Sequence, residues 1–493
     1  MTQHRLARTL GVLDRIDDAI QSPIGAPLLL AAAVFGCCLI GIYSRPVGFL
    51  ATVWPANAIM LGLLLRLPKS AGPMGWIGAA IAYVAADLLT GATAEKALLL
   101  NAANMVGVAA GYLIYSHLPS GKTCLEQPAS MLSLVAVAAA AAAAAGVVGG
   151  IANPILFHGN VISGWTFWFA TELVNYITIL PVVLAATWPV LRMRQTDRLS
   201  ARPTRLAALL PICALILSCV AAIVVGGPGA LAFPVPALLW CGFVYAVFPT
   251  TIIVLAFGLW SAVAISIGSA SGLFSPHNEM ALASVRLGAA LVALTPITIA
   301  TVMRNQDRLL DRLRYMANHD SLTGVSTRQA FRDEAERALA SGKPFALLMI
   351  DVDHFKSVND RFGHAGGDKV LKAFATRLRG DLRPNDHLGR LGGEEFAVLI
   401  TDCPEPHVIG IAERIRRETA EIPILLDDGR AISVTASIGV VFAVDMADQS
   451  IDSLLAVADE LLYRAKKNGR NRIEVSVESP GGKAGIRLVS RGG

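Results

Sequence analysis

The sequence predicts an α-helical multi-span membrane domain followed by a soluble α/β domain, and three observations carry that prediction. Apolar runs of bilayer length crowd residues 24–303. Polarity changes abruptly after Met303. Beyond it, residues 318–476 alternate strand-like and helix-like segments, the pattern of one α/β domain.

The composition agrees. Of 493 residues, 54% are hydrophobic and 16% charged, against about 25% charged in soluble domains. The formal net charge of +5 is small for this length. Much of it lies in short loops beside apolar runs, which marks membrane orientation and argues against a nucleic-acid partner. The seven cysteines form no CxxC pair, and most sit inside apolar runs. They read as small buried side chains, not as a zinc site or a disulfide framework.

Candidate spans fall at 24–43, 47–66, 74–90, 97–116, 130–157, 161–189, 205–225, 231–248, 250–270 and 282–303. The count is ten, or eight if the short run at 74–90 and the proline-rich run at 231–248 do not cross. Arg5, Arg8 and Arg15 precede the first span, and because many further spans follow, it reads as a retained anchor rather than a cleaved leader. Arg66 and Lys69, Lys122, the group Arg192, Arg194, Arg198, Arg202 and Arg205, and finally Arg304 and Arg308 follow alternate spans. The intervening loops carry little more than Arg45 and Lys96. The bias places both termini in the cytoplasm. Asp87, Glu172 and Arg286, with Asn57, Asn101, Asn104 and Asn175, are polar groups at membrane depth and therefore functional candidates. Trp165 and Trp168 suit the interface as anchors. The eight alanines of 138–145 permit close helix packing.

Residues 304–317, RNQDRLLDRLRYMA, are polar with apolar teeth. Val302, Gln306, Leu309, Leu313 and Met316 are spaced 4-3-4-3, which suits a coiled-coil seam or an amphipathic linker helix. In the soluble part the strand-like runs are 345–352, 396–400 and 431–441; the helix-like runs are 328–340, 367–380, 406–420 and 451–467. The end of the chain, 477–493, is rich in turn formers without periodicity and reads as a disordered tail.

Three clusters in this domain bear chemistry. In the first, an apolar strand ends in Asp351-Val352-Asp353. The period of two turns both carboxylates to one face, and carboxylates are the oxygen donors Mg²⁺ prefers. In the second, Gly392-Gly393 between apolar runs predicts a hairpin turn, followed directly by Glu394 and Glu395. In the third, a helix ends in Tyr463-Arg464-Ala465-Lys466-Lys467 and runs on to Arg470. Those cations suit either phosphate binding or the helix dipole.

Together the clusters resemble the GGDEF family of diguanylate cyclases, with GGEEF at 392–396 in place of the family's name motif. His319-Asp320-Ser321-Leu322-Thr323-Gly324 and Phe362-Gly363-His364-Ala365-Gly366-Gly367-Asp368 extend the resemblance, which covers about 316–476. Val325 and Thr327 depart from the family's more frequent Leu and Asn. The resemblance implies a nucleotide-cyclase-like palm, a mixed and mostly antiparallel sheet flanked by helices. It implies condensation of two GTP molecules into cyclic di-GMP by a homodimer, with Mg²⁺ as cofactor and Mn²⁺ as a substitute. It assigns the metal to Asp351, the Val352 carbonyl and Glu394. Glu394 becomes the acceptor of the 3′-hydroxyl proton, and Glu395 its support. Asn359 and Asp368 become guanine readers, with His364 near the nucleotide, and Lys466 and Arg470 triphosphate ligands. An aspartate at position 368 matches the guanine-selective type, since a carboxylate accepts both N–H groups of the guanine edge. Arg383-Pro384-Asn385-Asp386, five residues before Gly392, matches the family's product-binding RxxD motif, with Arg414 as the secondary arginine.

Residues 20–303 resemble the bacterial membrane-associated sensor domain that precedes such cyclases, through Val53-Trp54-Pro55-Ala56-Asn57 and the Pro181 that follows Glu172. The organisation expected is therefore a sensor over 20–303, a linker helix over 304–317, a cyclase domain over 318–476 and a tail, in a bacterial inner membrane. Two other readings stand beside it. One is a degenerate cyclase domain that only binds nucleotide, against which the intact Asp351, Asn359, Asp368, Glu394 and Lys466 argue. The other is a transporter with a regulatory tail, which an internal repeat would favour.

Overall fold

The computed structural model describes residues 18–44, 53–118, 125, 127–186, 207–227, 229–271, 279–426, 429–443 and 450–476. Arg5, Arg8, Arg15, Arg45, Lys122, Cys124, the arginines of 192–205 and the tail over 477–493 lie outside them. The chain divides into two compact units, Met1–Arg308 and Leu309–Gly493.

The first unit is helical: α1 Gly25–Tyr43, α2 Pro55–Arg66, α3 Pro73–Leu89, α4 Ala94–Ser116, α5 Ala129–Phe157, α6 Val161–Ala185, α7 Leu210–Val225, α8 Val235–Val244, α9 Val247–Ser271 and α10 Glu279–Asn318. Each candidate span corresponds to one of these helices, and among the described residues six are long and apolar enough to cross a membrane: α1, α4, α5, α6 and parts of α9 and α10. The run at 47–66 contributes just 12 helical residues in α2, and that at 231–248 just 10 in α8. Prolines account for both short helices. Pro55 occupies the first turn of α2, and Pro236 that of α8 behind Pro234, positions where the missing N–H costs nothing but the helix cannot extend backwards freely. Outward-facing apolar side chains such as Leu89, Ile162, Leu217 and Val224 are largely exposed, as lipid-facing positions are.

α10 runs without a break from Glu279 to Asn318, so the expected linker at 304–317 is the C-terminal part of the last apolar helix. Leu309, Leu313 and Met316 of the expected seam are exposed.

The second unit is built on a six-stranded sheet of order β1-β3-β4-β2-β7-β8, with β1 Ser326–Thr327, β2 Phe345–Val352, β3 His387–Gly392, β4 Glu395–Thr401, β7 Ala436–Ala443 and β8 Ile473–Ser476. β2 lies between β4 and β7, antiparallel to both, and all eight of its residues are buried. That double burial explains its unbroken apolar run. β1 and β8 add parallel pairings at the edges, so the sheet is mixed, as expected. The helices are α11 Arg328–Ala340, α12 Phe355–Asp381, α13 Glu405–Glu421 and α14 Ile451–Lys467.

Alternation along β2 sorts the two faces. Ala346, Leu348, Ile350 and Val352 pack with Val370, Phe374 and Leu378 of α12 and Val408, Ile411 and Ile415 of α13. Phe345, Leu347 and Met349 pack with Phe331 of α11 and Leu454, Leu461 and Leu462 of α14. The odd-numbered positions thus face α14, and Asp351 is the next of them.

Two segments depart from the sequence reading. The strand-like run at 431–441 is split: β6 Ala431–Ile432 pairs with β5 Ile424–Leu425 in a separate small sheet, and β7 begins at Ala436. The helix expected over 367–380 begins earlier, at Phe355, and breaks at Gly363, where φ is 72°.

Candidate active site

β2 delivers Asp351 to the edge of its helical face, where the side chain is 7% exposed and receives a 2.7 Å ion pair from Lys466 Nζ. Lys466 stands in the last turn of α14, the helix that covers that face. In register, Asp351 lies opposite Glu395 on β4 and Ser437 on β7. The backbone N–H of Val352 donates to the Glu394 carbonyl at 3.4 Å. The first two sequence clusters therefore meet at the end of β2, and the third closes over them.

Burial raises the Asp351 carboxyl to about 6; the Lys466 hydrogen bond and charge oppose the rise, and the charges of Glu394 and Glu395 add to it. Three carboxylates share this corner with one lysine. The donor set is all hard oxygen and net negative, which fits a divalent cation of the Mg²⁺ class. Among the described residues no three His, Cys, Asp or Glu side chains meet at metal-ligand distance. The set expected from the sequence needs only two carboxylates and the Val352 carbonyl.

Asp353 has a different task. The strand ends at Val352, and Asp353 is buried beyond it. Its carboxylate accepts from Thr435 Oγ1 at 2.7 Å, Ser437 Oγ at 2.7 Å and the Asn471 backbone N–H at 3.0 Å. It ties β2, β7 and the turn after α14 together. Its neighbour in the DxD pair faces the site; Asp353 holds the floor.

The glutamates stand on a β-hairpin whose turn is Gly393-Glu394, with a register irregularity between Arg390 and Gly392. Gly393 has a φ of 50°, a region a side chain would disfavour. An arginine clamps this turn: Arg390 Nε donates to the Gly393 carbonyl at 2.8 Å, and Arg390 Nη1 to Asp320 Oδ1 at 3.0 Å. Asp320 also accepts from Thr323 N and Oγ1 at 2.9 and 2.6 Å. Burial pushes the Asp320 carboxyl up, but the Thr323 hydrogen bonds and Arg390 outweigh it and hold it below the ordinary carboxylate range. Arg390 was not singled out in the sequence; its position two residues before the glycines was the available signal.

The residues expected on the nucleotide side come from α12. Asn359 lies before the break at Gly363, and His364 and Asp368 after it. A Cβ on Gly367 would sit 2.0 Å from Asn359 Oδ1, so the absence of a side chain there lets Asn359 lie across the second half of the helix, next to Asp368. His364 and Asp368 are exposed. Arg470 is exposed with a φ of 63° in the turn after α14.

Arg383 and Asp386 form a tight turn: Asp386 Oδ2 accepts from the Arg383 N–H at 2.9 Å. With His319, Arg379 and His387 they line an open cleft of about 390 Å³. Arg414 is not among its lining residues; its Nε donates to Asp381 Oδ1 at 2.7 Å.

A family model described as diguanylate cyclase, GGDEF domain, matches residues 317–472. A probable diguanylate cyclase, DgcF, of Escherichia coli O157:H7 is 30% identical over 455 residues, 88% of this chain and 91% of its own length. The chain belongs to the GGDEF diguanylate cyclases. The probable diguanylate cyclase DgcF of Escherichia coli K12 is 31% identical over 317 residues, 62% of this chain and 95% of its own. The solved coiled coil and GGDEF domain of DgcB from Caulobacter crescentus, in complex with c-di-GMP, is 30% identical and covers 36% of this chain and 94% of that one, with a TM-score of 0.34. Among the described residues, six helices of membrane-crossing length and apolarity precede the cyclase domain, as in a multi-pass membrane protein.

Proposed function

We propose that this cyclase works at the bacterial inner membrane with both termini in the cytoplasm, joining two GTP molecules into cyclic di-GMP and two pyrophosphates under control of its helical unit and of its own product. The observation that carries the catalytic reading is the convergence of Asp351, Glu394 and Glu395 with Lys466 at the end of the central strand.

In this reading Asp351, the Val352 carbonyl and Glu394 hold Mg²⁺, with Mn²⁺ as a substitute; the ion supplies charge stabilisation at the attacking and leaving oxygens. Glu394 takes the proton of the 3′-hydroxyl as that oxygen attacks the α-phosphorus of the second GTP. Glu395 supports the metal corner. Asp368 accepts from the N–H groups of the guanine edge and the Asn359 amide donates to the base, with His364 beside them. Lys466 and Arg470 grip the triphosphate, and Lys466 neutralises Asp351 until the substrate arrives. Each domain orients one GTP, so a homodimer must bring two together, and positioning supplies much of the rate. The exposed seam of Leu309, Leu313 and Met316 on α10 supports pairing of two chains.

Product inhibition is assigned to the cleft of Arg383 and Asp386, where a guanidinium meets phosphate and a carboxylate meets a guanine edge. Arg414 would join only by leaving Asp381. For the domains, 20–303 acts as sensor, 304–317 as the connecting helix and 318–476 as the catalyst.

The test uses the full chain in lipid nanodiscs, given GTP with and without Mg²⁺, with product separated by chromatography. Cyclic di-GMP should form only with the metal. Glu394→Gln should lower turnover about 100-fold or more while the circular dichroism spectrum is retained. Wild-type turnover in the variant would remove Glu394 from the chemistry.

A further inference from the structure

The helical unit buries a polar chain that the catalytic reading does not use. Tyr83 of α3 donates its hydroxyl to Asn57 Oδ1 on α2 at 2.6 Å. Asn57 Nδ2 donates in two directions, to Glu172 Oε2 on α6 at 2.9 Å and to Asn104 Oδ1 on α4 at 3.0 Å. Asn104 Nδ2 donates to Asn101 Oδ1 at 3.0 Å, and Asn101 Nδ2 to Asp87 Oδ2 on α3 at 2.8 Å. The chain thus joins four helices and ends in a carboxylate at each side. Its members are between 0% and 4% exposed.

The Glu172 end is incomplete in two ways. Its carboxylate is answered by an amide, and among the described residues no cation is ion-paired with it. One helical turn on, Tyr176 shares that face of α6, is fully buried, and its hydroxyl has no hydrogen-bond partner. Tyr83 and Tyr176 both lie close enough to feel the Glu172 charge. An ionised carboxylate at membrane depth with dipoles alone around it is costly, and so is a buried hydroxyl left unpaired. A unit positive charge brought to Glu172 relieves the first cost, and the Tyr176 oxygen is placed beside the site to share it.

Arg286 of α10 bonds to the same stretch of α6, at a neighbour of Glu172. Its guanidinium donates to Thr171 Oγ1, the residue before Glu172, and lies 4.7 Å over the Phe167 ring. The helix that carries Arg286 is the one that continues to Asn318, into the cyclase unit. A rearrangement around Glu172 therefore reaches, through the adjoining Thr171, a residue of the helix that continues to Asn318.

We infer that Glu172, with Asn57, Tyr83 and Tyr176, forms a membrane-buried site for a small monovalent cation, a proton or sodium, whose occupancy is read by Arg286 and passed along α10 to the cyclase. Other groups that share the site's surroundings are Asp87 at the far end of the chain and Cys37 and Cys38 of α1, which lie near Tyr83. The site proposal concerns Glu172 itself; the coupling rests on the reading of the chain as a membrane-controlled cyclase.

The test uses the full chain in liposomes. Product formation is followed for wild type and Glu172→Gln across pH without sodium, and across sodium concentration at fixed pH with choline as replacement. The catalytic domain's own pH dependence is common to both proteins, so their ratio isolates Glu172. That ratio should change about fivefold or more along one of the two axes, and the axis names the cation. A ratio flat along both overturns the coupling. Infrared difference spectra taken between the extremes of the same axes test the site without relying on activity. A carboxyl or carboxylate band present in wild type and missing from Glu172→Gln supports it, and identical spectra for the two proteins overturn it. Glu172→Asp, which keeps the charge, should keep the band and the response.

Discussion

Two buried carboxylates, Asp351 in the cyclase unit and Glu172 in the helical unit, are handled in opposite ways. Asp351 meets a full positive charge, Lys466 at 2.7 Å, in a corner that opens towards solvent. Glu172 meets an amide, Asn57 at 2.9 Å, among helices that bury it on every side. On the proposed reading, a lysine at a partly open site exchanges its partner when a nucleotide and a metal arrive. An amide neither moves far nor cancels charge, so it fixes the position of Glu172 while leaving its charge state sensitive to what else enters. The pairing partner thus separates a site built for turnover from one built to hold a group in a defined place.

The comparison breaks first at Lys466. Lys466→Met leaves Asp351 without its counter-charge, and the KM for GTP should rise about tenfold, roughly the loss of one charge-assisted contact. Because removing a neighbouring cation favours the protonated acid, the acid limb of the rate profile should also move to higher pH. An unshifted limb would mean that the ion pair does not govern Asp351.

Its counterpart in the helical unit is Asn57→Leu. That change removes donors to Glu172 and Asn104 together, and thermal unfolding in lipid should show a loss of about 1–2 kcal/mol, the scale of interhelical hydrogen bonds in membranes. A loss no larger than that of an exposed leucine substitution would mean the polar chain bears no structural load.

The pH dependence of the cyclase sharpens the comparison further. Asp351 titrates near 6 in the folded chain, above its ordinary value of 3.8. The native state therefore binds a proton that the unfolded chain has released, and its stability falls as pH rises through that window. Activity runs the other way. A metal requires the ionised carboxylate, so rate should fall as pH drops through about 6. Added Mg²⁺ should push the limb to lower pH, because it competes with the proton. The smallest effect is expected at Arg383→Ala, which should raise by severalfold the product concentration at which synthesis stalls in a progress curve.

Much of the architecture was legible in the sequence. Each apolar run marks a helix, because hydropathy reports burial or lipid contact directly. The six-stranded sheet was only partly visible. β2, with both faces covered, has an unbroken apolar run, whereas β1, β5, β6 and β8 have four residues or fewer and too few side chains to show a period. The helix beginning at Phe355 was hidden because Gly363, Gly366 and Gly367 interrupt the pattern where its two halves join.

Residue types and spacing by themselves picked out the candidates, carboxylates at Asp351 and Glu394, cations at Lys466 and Arg470, and the polar residues at membrane depth; the family resemblance gave the catalytic ones their roles. Local pattern suffices for that, since each motif is a short segment whose conformation is set by its neighbours. Which carboxylate faces the site and which locks the floor was decided only by the tertiary structure. Asp351 and Asp353 are chemically alike and two residues apart, and they part company because Lys466, Thr435, Ser437 and Asn471 reach them from elements more than 80 residues away. The same holds for Glu172. Its amide partner 115 residues earlier, and the lack of an ion-paired cation among the described residues, exist only once four helices have packed.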